Sequence, residues 1–186
     1  MSADVLEQAF GSTAAIVAKV TPDHLDLPTP CSSWKVSDLL DHIVGGSAWF
    51  GTMVSGDESA GGAAPPLDPA TLSSTYAANA AGTLAAFRAD GAMGKMLTLP
   101  FGEIPGAAFV MIAATDTFIH GWDLAKAIGA PTDLDPALAS SLLGAAKVSI
   151  PEGFRGPEPA PFGPEIPISE DAHPADKLAA FLGRTV

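Results

Sequence analysis

The chain has 186 residues, and its 9 Lys and Arg against 21 Asp and Glu give a formal net charge of −12. So acidic a balance excludes a phosphate-backbone partner, which needs clustered Lys and Arg to displace counterions, and it disfavours an anionic membrane surface for the same reason. With 47% hydrophobic and 16% charged residues, a chain of this length buries roughly 70% of its unfolded surface, so one globular domain spanning 1 to 186 is expected.

Mean hydropathy is +0.28, yet the most apolar windows, 77 to 87 and 107 to 114, fall short of the roughly 20 residues that a bilayer span requires. The opening Met-Ser-Ala-Asp-Val-Leu-Glu has neither the basic start nor the apolar core of a signal peptide. A single cysteine, Cys31, leaves no intrachain disulfide. A cytoplasmic protein is expected, with its chemistry carried by His, Asp, Glu and Ser.

Val5, Leu6, Ala9, Phe10, Ile16, Val17 and Val20 recur at three- and four-residue spacing, which predicts a helix over 3–20. Pro22, Pro28 and Pro30 then impose a stiff loop, and Ser33 is the expected N-cap of a second helix at 36–54. The Gly/Pro-rich stretch 56–66 has the composition of a surface connection. Asp68-Pro69 combines a cap acceptor with a first-turn proline, and opens a third helix carried by Leu72, Tyr76, Ala80, Thr83, Leu84 and Phe87 and closed by Asp90-Gly91. A short extended piece at 96–100 precedes the longest helix, 105–128, which is apolar nearly all round and therefore central, with Gly129 as its stop. Asp135-Pro136 opens a fifth helix that ends before Ile150-Pro151. A loop over 151–172, longer than ordinary connections, leads to a short helix opened by His173-Pro174 and ended by Gly183. No alternation at period two is long enough for a sheet. The fold class predicted is all-α, a four-helix bundle with a C-terminal helical and loop extension.

Asp116 and His120 stand at i and i+4, about 40° apart on a helical wheel, so both project from one face, with Asp123 following. Phe109, Ile112, Ala113 and Ala127 share that face. Ionisable groups inside an apolar surface need partners or a cation. The spacing fits either a hydrogen-bonded pair at a helix crossing or part of a ligand set. His42 lies off the Leu39, Leu40, Ile43 and Phe50 stripe, beside Gly45, Gly46 and Trp49, where two glycines leave either open space or a close crossing. One His from one helix and Asp-x-x-x-His from another would make a two-His, one-carboxylate site for a divalent metal, with a position left for water or substrate.

The stretch Thr29-Pro30-Cys31-Ser32-Ser33-Trp34-Lys35-Val36-Ser37-Asp38-Leu39-Leu40-Asp41-His42-Ile43-Val44-Gly45-Gly46, taken with Asp116-x-x-x-His120-Gly121-Trp122-Asp123-Leu124-Ala125, resembles the actinobacterial metal-binding branch of the DinB-like superfamily. That branch is related to the N-terminal domain of mycothiol-dependent maleylpyruvate isomerase. Phe162-Gly163-Pro164-Glu165-Ile166-Pro167-Ile168 and Asp176-Lys177-Leu178-Ala179-Ala180-Phe181-Leu182-Gly183-Arg184 extend the likeness over the whole chain. The resemblance implies a DinB-like four-helix bundle whose metal ligands are His42, Asp116 and His120. Zinc is the metal it implies first, and the same donors accept nickel, iron or manganese. Asp116 stands where the isomerase carries Glu, and the isomerase's separate C-terminal domain has no counterpart, so activity on maleylpyruvate itself is not carried over.

What carries over is a chemistry in which an open metal position favours the thiolate of mycothiol, the low-molecular-weight thiol, and presents it to an electrophilic substrate in S-transfer or isomerisation. Asp123 would either orient His120 or sit on the helix surface. The other reading is a non-catalytic metal- or ligand-binding module. The 151–172 loop separates the two, because a loop covering the metal cleft suits an enzyme and a loop packed elsewhere suits the module. Cys31 is expected to be inert and partly buried, Trp49 and Trp122 to be core aromatics, and the acidic run 165–176 to be a solvated face. No coiled-coil seam distinguishes a monomer from a homodimer. No phosphate loop or nucleophile elbow is present to support nucleotide or serine-hydrolase chemistry.

Overall fold

The computed structural model describes residues 2–56, 68–99, 102–150, 152–156 and 162–186. Its helices are α1 (Asp4–Val17), α2 (Val36–Ser55), α3 (Leu72–Arg88), α4 (Gly106–Ala127), α5 (Pro136–Ser149) and α6 (Pro174–Phe181), with strands β1 (Met96–Leu99) and β2 (Gly102–Pro105) between α3 and α4. The fold is the all-α bundle expected from periodicity. α1 packs along α4 and α2 along α3, while α2–α4 and α1–α3 contacts close the four-helix layer. α5 and α6 pack on each other and against α4 as the C-terminal extension. Among the described residues no helix is long and apolar enough to cross a membrane.

The four stripes meet in one core. Leu6 and Phe10 enter it from α1, Leu39 and Leu40 from α2, Tyr76 and Phe87 from α3, and Phe109, Phe118 and Trp122 from α4, all buried. Trp49, Phe50, Phe87 and Phe109 form an edge-to-face and tilted aromatic cluster with centroids 5.6–5.9 Å apart. Helix α4 is buried on most sides, in keeping with its nearly uniform apolarity.

Several element ends differ from expectation for local reasons. α1 stops at Val17, and the Lys19 and Val20 amides reach back only three residues to Ile16 and Val17, a tightened last turn before Pro22. The N-cap of α2 is Lys35 rather than Ser33. Trp34 N–H bonds the Cys31 carbonyl at 2.8 Å and Pro28 bridges Lys35, which keeps 33–35 out of the helix, and Lys35 N–H donates to Asp38 Oδ2 at 3.0 Å. Asp68 caps a turn, accepting Ala70 N–H at 2.9 Å, and the helix proper begins at Leu72. The connection predicted at 56–66 lies outside the described residues except for Gly56, the left-handed cap of α2 at φ 76°. The 96–100 piece has a partner that alternation did not reveal. Gly102–Pro105 pairs antiparallel with it, Leu97 opposite Ile104, because four residues are too few to show a period.

Asp135 caps α5 as predicted, its carboxylate accepting Leu138 N–H at 3.0 Å. Asp176 departs from the solvated face expected for 165–176. It is buried and accepts the Trp122 indole N–H at 2.8 Å, pinning α6 to α4, whereas Glu165, Glu170 and Asp171 are exposed. The described parts of 151–172 lie against α6. Ile166 N–H bonds the Ala180 carbonyl at 2.9 Å, and Arg155 donates to the Phe181 carbonyl at 2.6 Å with its guanidinium 4.1 Å from the Phe181 ring centre.

One device recurs at two helix crossings. Thr13 of α1 donates its hydroxyl to the Thr117 carbonyl at 2.8 Å, and Thr83 of α3 donates to the Ser47 carbonyl at 2.5 Å. One turn beyond each acceptor stands a glycine. A Cβ on Gly121 would run into the Thr13 hydroxyl, and one on Gly51 would lie 3.0 Å from Thr83 Cα. Alanine at either glycine gains up to about 1 kcal/mol in helix propensity but incurs about 1–3 kcal/mol of overpacking. Gly51→Ala and Gly121→Ala are therefore each expected to lower stability by a net of about 1–2 kcal/mol, read as a lower urea midpoint at unchanged slope. An unchanged or higher midpoint would show that the helices separate freely.

Candidate metal centre

The prolines between 22 and 30 are followed by a loop fixed at several points. Val36 and Ser37 amides bond the Leu27 and Leu25 carbonyls at 3.0 Å each. The Thr29 hydroxyl lies 3.0 and 2.9 Å from the Cys31 and Trp34 carbonyls and accepts Cys31 N–H at 3.1 Å. Those bonds hold Cys31 and Trp34 beside the start of α2. From there α2 carries His42 two turns on, with its ring 4.9 Å from the Trp34 indole.

On α4, Asp116 and His120 share a face, as their spacing predicts, and that face meets α2 at His42. His42 Nε2 is 3.5 Å from Asp116 Oδ2, and His120 Nε2 is 3.5 Å from Asp116 Oδ1. The two imidazoles meet edge to face with centroids 4.5 Å apart, and one donor atom from each of the three residues lies within 4.8 Å of the others. Phe109 and Ala113 of the same face are buried, but Ile112 is 42% exposed. The side chains of His42 and Asp116 are about one-third exposed, at 35% and 34%. The trio therefore opens to solvent on one side.

Behind the trio lies a second layer. His120 Nδ1 is 2.9 Å from Asp123 Oδ2. Asp123 has no exposed side-chain surface, and it receives a forked pair from Arg184, Nε to Oδ1 at 3.3 Å and Nη2 to Oδ2 at 3.2 Å. The Cys31 thiol reaches the same Oδ2 at 3.4 Å. With the Nδ1 hydrogen directed at Asp123, the hydrogen-bond network assigns Nε2 as the nitrogen turned toward Asp116 and His42.

The electrostatics follow from this layering. Burial pushes the Asp116 carboxyl up, but His120 and His42 together outweigh it and hold the group well below the usual carboxylate range. Burial pulls the His120 imidazole down, yet Asp116 and then Asp123 reverse the balance and place it well above the usual imidazole range. Asp123 is likewise pushed up by burial and held low by His120 and Arg184. A proton on His120 thus occupies a strongly negative field, the same field that would favour a cation.

The three donors fit a divalent metal. His42 Nε2 is buried and makes no hydrogen bond, an arrangement that ordinarily carries a desolvation cost. Tetrahedral zinc with bonds of about 2.0–2.1 Å has ligand-to-ligand edges of about 3.3–3.4 Å, close to the two 3.5 Å separations. Cys31, His120 and Asp123 also lie within 4.8 Å of one another, but this second group is already saturated. Arg184 places a guanidinium on Asp123, and His120 Nδ1 and the Cys31 thiol both contact that same carboxylate.

Two residues of the site escaped the sequence reading. Trp34 is stacked near both imidazoles, 4.9 Å from His42 and 5.8 Å from His120, and its only signal was its place in the Thr29–Gly46 motif. Arg184 lies 61 positions from Asp123, so no local spacing could join them. Trp122 is the core aromatic expected, and Trp49 is partly buried and packs edge to face on Phe50 and Phe109 at the core's margin. Cys31 is half-buried, as expected, but its thiol faces the carboxylate that holds His120.

Removing Asp123 strips the counter-charge from Arg184, whose side chain is only 15% exposed. Asp123→Ala is expected to cost about 3–5 kcal/mol, the range for breaking a buried ion pair by deleting one partner. In urea unfolding, Asp123→Asn should recover part of that loss. A change in Asp123→Ala below 1 kcal/mol, about the value of an exposed pair, would remove the network from the list of stabilising contacts.

Comparison with known proteins bears on the whole chain. The family model of the mycothiol maleylpyruvate isomerase N-terminal domain matches residues 6–125. Two proteins of Mycobacterium tuberculosis, from strains CDC 1551 / Oshkosh and ATCC 25618 / H37Rv and both described as uncharacterized, are each 43% identical over 180 residues, covering 97% of this chain and 96% of their own. No solved structure matches the chain. With the helical bundle in place and the match spanning α1 through most of α4, the chain belongs to the mycothiol maleylpyruvate isomerase N-terminal domain family.

Proposed function

We propose that the protein binds one divalent metal ion, zinc first among the candidates, through His42, Asp116 and His120, and uses mycothiol as co-substrate in S-transfer to, or isomerisation of, an electrophile. The observation that supports it most is the buried, unbonded Nε2 of His42, directed into a donor set with tetrahedral-edge spacing. A divalent ion bound there would act as a Lewis acid that favours thiolate over thiol at neutral pH. The family assignment supports mycothiol as the thiol.

The chain's own residues perform the remaining tasks. Asp123, anchored by Arg184, holds the His120 Nδ1 hydrogen and so keeps Nε2 facing the trio. Trp34 covers one side of both imidazoles and restricts their rotation and their access to water. The one-third exposure of His42 and Asp116 leaves the other side for incoming groups. In S-transfer the sulfur lone pair forms the new S–C bond while the carbon's bond to its leaving group breaks. The leaving group takes that electron pair, and the thiol proton passes to solvent. In isomerisation the sulfur adds to one carbon of a conjugated double bond, whose π electrons move to the carbonyl oxygen. Rotation about the resulting single bond and expulsion of the same sulfur restore the double bond and return the thiol.

A second reading, a metal- or ligand-binding module without turnover, has one observation in its favour. The described residues of 151–172 that hydrogen-bond to a helix do so to α6, the packing expected of a module, whereas a cover that excludes water would bond around the trio.

Elemental analysis of tag-free protein purified without chelators tests the metal. About one divalent ion per chain is expected in the wild type and in Cys31→Ser, and loss of it in His42→Ala and His120→Ala, because three donors are the minimum set for such a site. Equal metal content in all four proteins would remove the site. Ion binding to the native state alone also raises the melting temperature, so added zinc should stabilise the wild type and leave His42→Ala unmoved in a thermal scan. After cobalt substitution, mycothiol should perturb the visible spectrum. A perturbed spectrum with no electrophile turned over would favour the module, whereas no perturbation would separate the metal from thiol chemistry.

A further inference from the structure

We infer that the electrophile taken by this site is uncharged and largely apolar, not a multiply charged carboxylate; this rests on the metal-and-thiol reading above and names the substrate class of that same site. The ground is the placement of the chain's own Lys and Arg side chains. All nine Lys and Arg of the chain are described, and only Arg184 makes a hydrogen bond or ion pair to the cluster around the trio. Lys35 and Arg88 are held in exposed pairs, by Asp26 at 2.8 Å and by Glu7 at 2.6 Å. Arg184 is committed to Asp123 behind His120. Lys95 and Lys177 donate to the carbonyls of Val54 and Glu170, and Arg155 donates through Nη1 to those of Gly163 and Phe181, with its guanidinium on the Phe181 ring and its Nη2 unpartnered among the described residues. Lys147 lies over the Phe181 ring. Lys19 lines a groove between α1 and the α4–α5 connection. Lys126 is exposed on α4, ten residues and so about 15 Å along the axis from Asp116.

Sites that select carboxylates supply a cation, most often the forked guanidinium of Arg. Here the only guanidinium in the cluster is already occupied. The surface around the opening is of another kind. Trp34 is partly exposed against His42. Ile112, one turn before Asp116, is 42% exposed. At Gly45, one turn after His42, a Cβ would meet no heavy atom within 4 Å, so the space over that turn is open. Asp41, next to His42, is exposed and adds to a chain charge of −12, which opposes the approach of a dianion. An indole face, an isoleucine and an open glycine turn suit an apolar body far better than an ionised one.

The test compares two thioether conjugates of mycothiol, S-benzyl and S-(4-carboxybenzyl), by calorimetric titration into zinc-loaded protein, with mycothiol alone titrated into the cobalt form as the control for the underlying site. The neutral conjugate is expected to bind at least about tenfold more tightly. Ile112→Lys, a change at an exposed position, should narrow that ratio by tightening the carboxylated conjugate. Equal or tighter binding of the carboxylated conjugate to the wild type would overturn the inference. So would failure of both conjugates to bind while mycothiol still perturbs the cobalt spectrum. Failure of mycothiol itself to perturb the spectrum would instead overturn the reading on which the inference rests.

Discussion

Asp123 is a carboxylate with no exposed side-chain surface, and its neutralisation constrains the rest of the molecule. A lone buried charge costs several kcal/mol even after relaxation, so the chain must bring it partners. They come from three places: the loop at Cys31, the same helix at His120, and the tail at Arg184. The family model ends at residue 125, well before Arg184, whereas the mycobacterial relatives align over 97% of the chain. One of the groups that neutralise Asp123 therefore lies beyond the matched segment, and it ties the C-terminal extension to the bundle.

His120 translates this constraint into geometry. One imidazole carries two distinct nitrogens, and the buried network claims one of them. The other has nowhere to point but toward Asp116 and His42. Orientation at the solvent-facing trio is thus fixed by charge burial on the far side of the ring, with rotation further limited by the Trp34 indole.

The bundle was legible in the sequence because four long segments kept helical spacing and because Asp135-Pro136 and Gly129 mark their element ends in any context. The spacing put Asp116 and His120 on one face and His42 off the apolar stripe of its own helix, but it left an ordinary helix crossing open, and the meeting of the three rested on the family resemblance. What was not legible depends on tertiary partners. Ser33 has the chemistry of an N-cap, but the Thr29 and Cys31 bonds hold that stretch in a turn. Asp176 looks like any acid in an acidic run until the Trp122 indole reaches it. Arg184 meets Asp123 only once the fold has formed, and a strand of four residues such as Gly102–Pro105 is too short to announce itself.

The two threonine–glycine crossings have a mechanical consequence. They weld α1 to α4 and α2 to α3 at close range, so the bundle behaves as two stiff plates laid face to face. His42 rides on one plate, Asp116 and His120 on the other. Among the described residues no comparable weld joins α2 to α4, and the seam between the plates is held by the aromatic cluster of Trp49, Phe50, Phe87 and Phe109. Movement along that seam would change the spacing of the donor atoms and would have to carry the shared aromatic cluster with it. An ion seated there would act as a rivet through that seam, adding to the grip of the aromatic cluster.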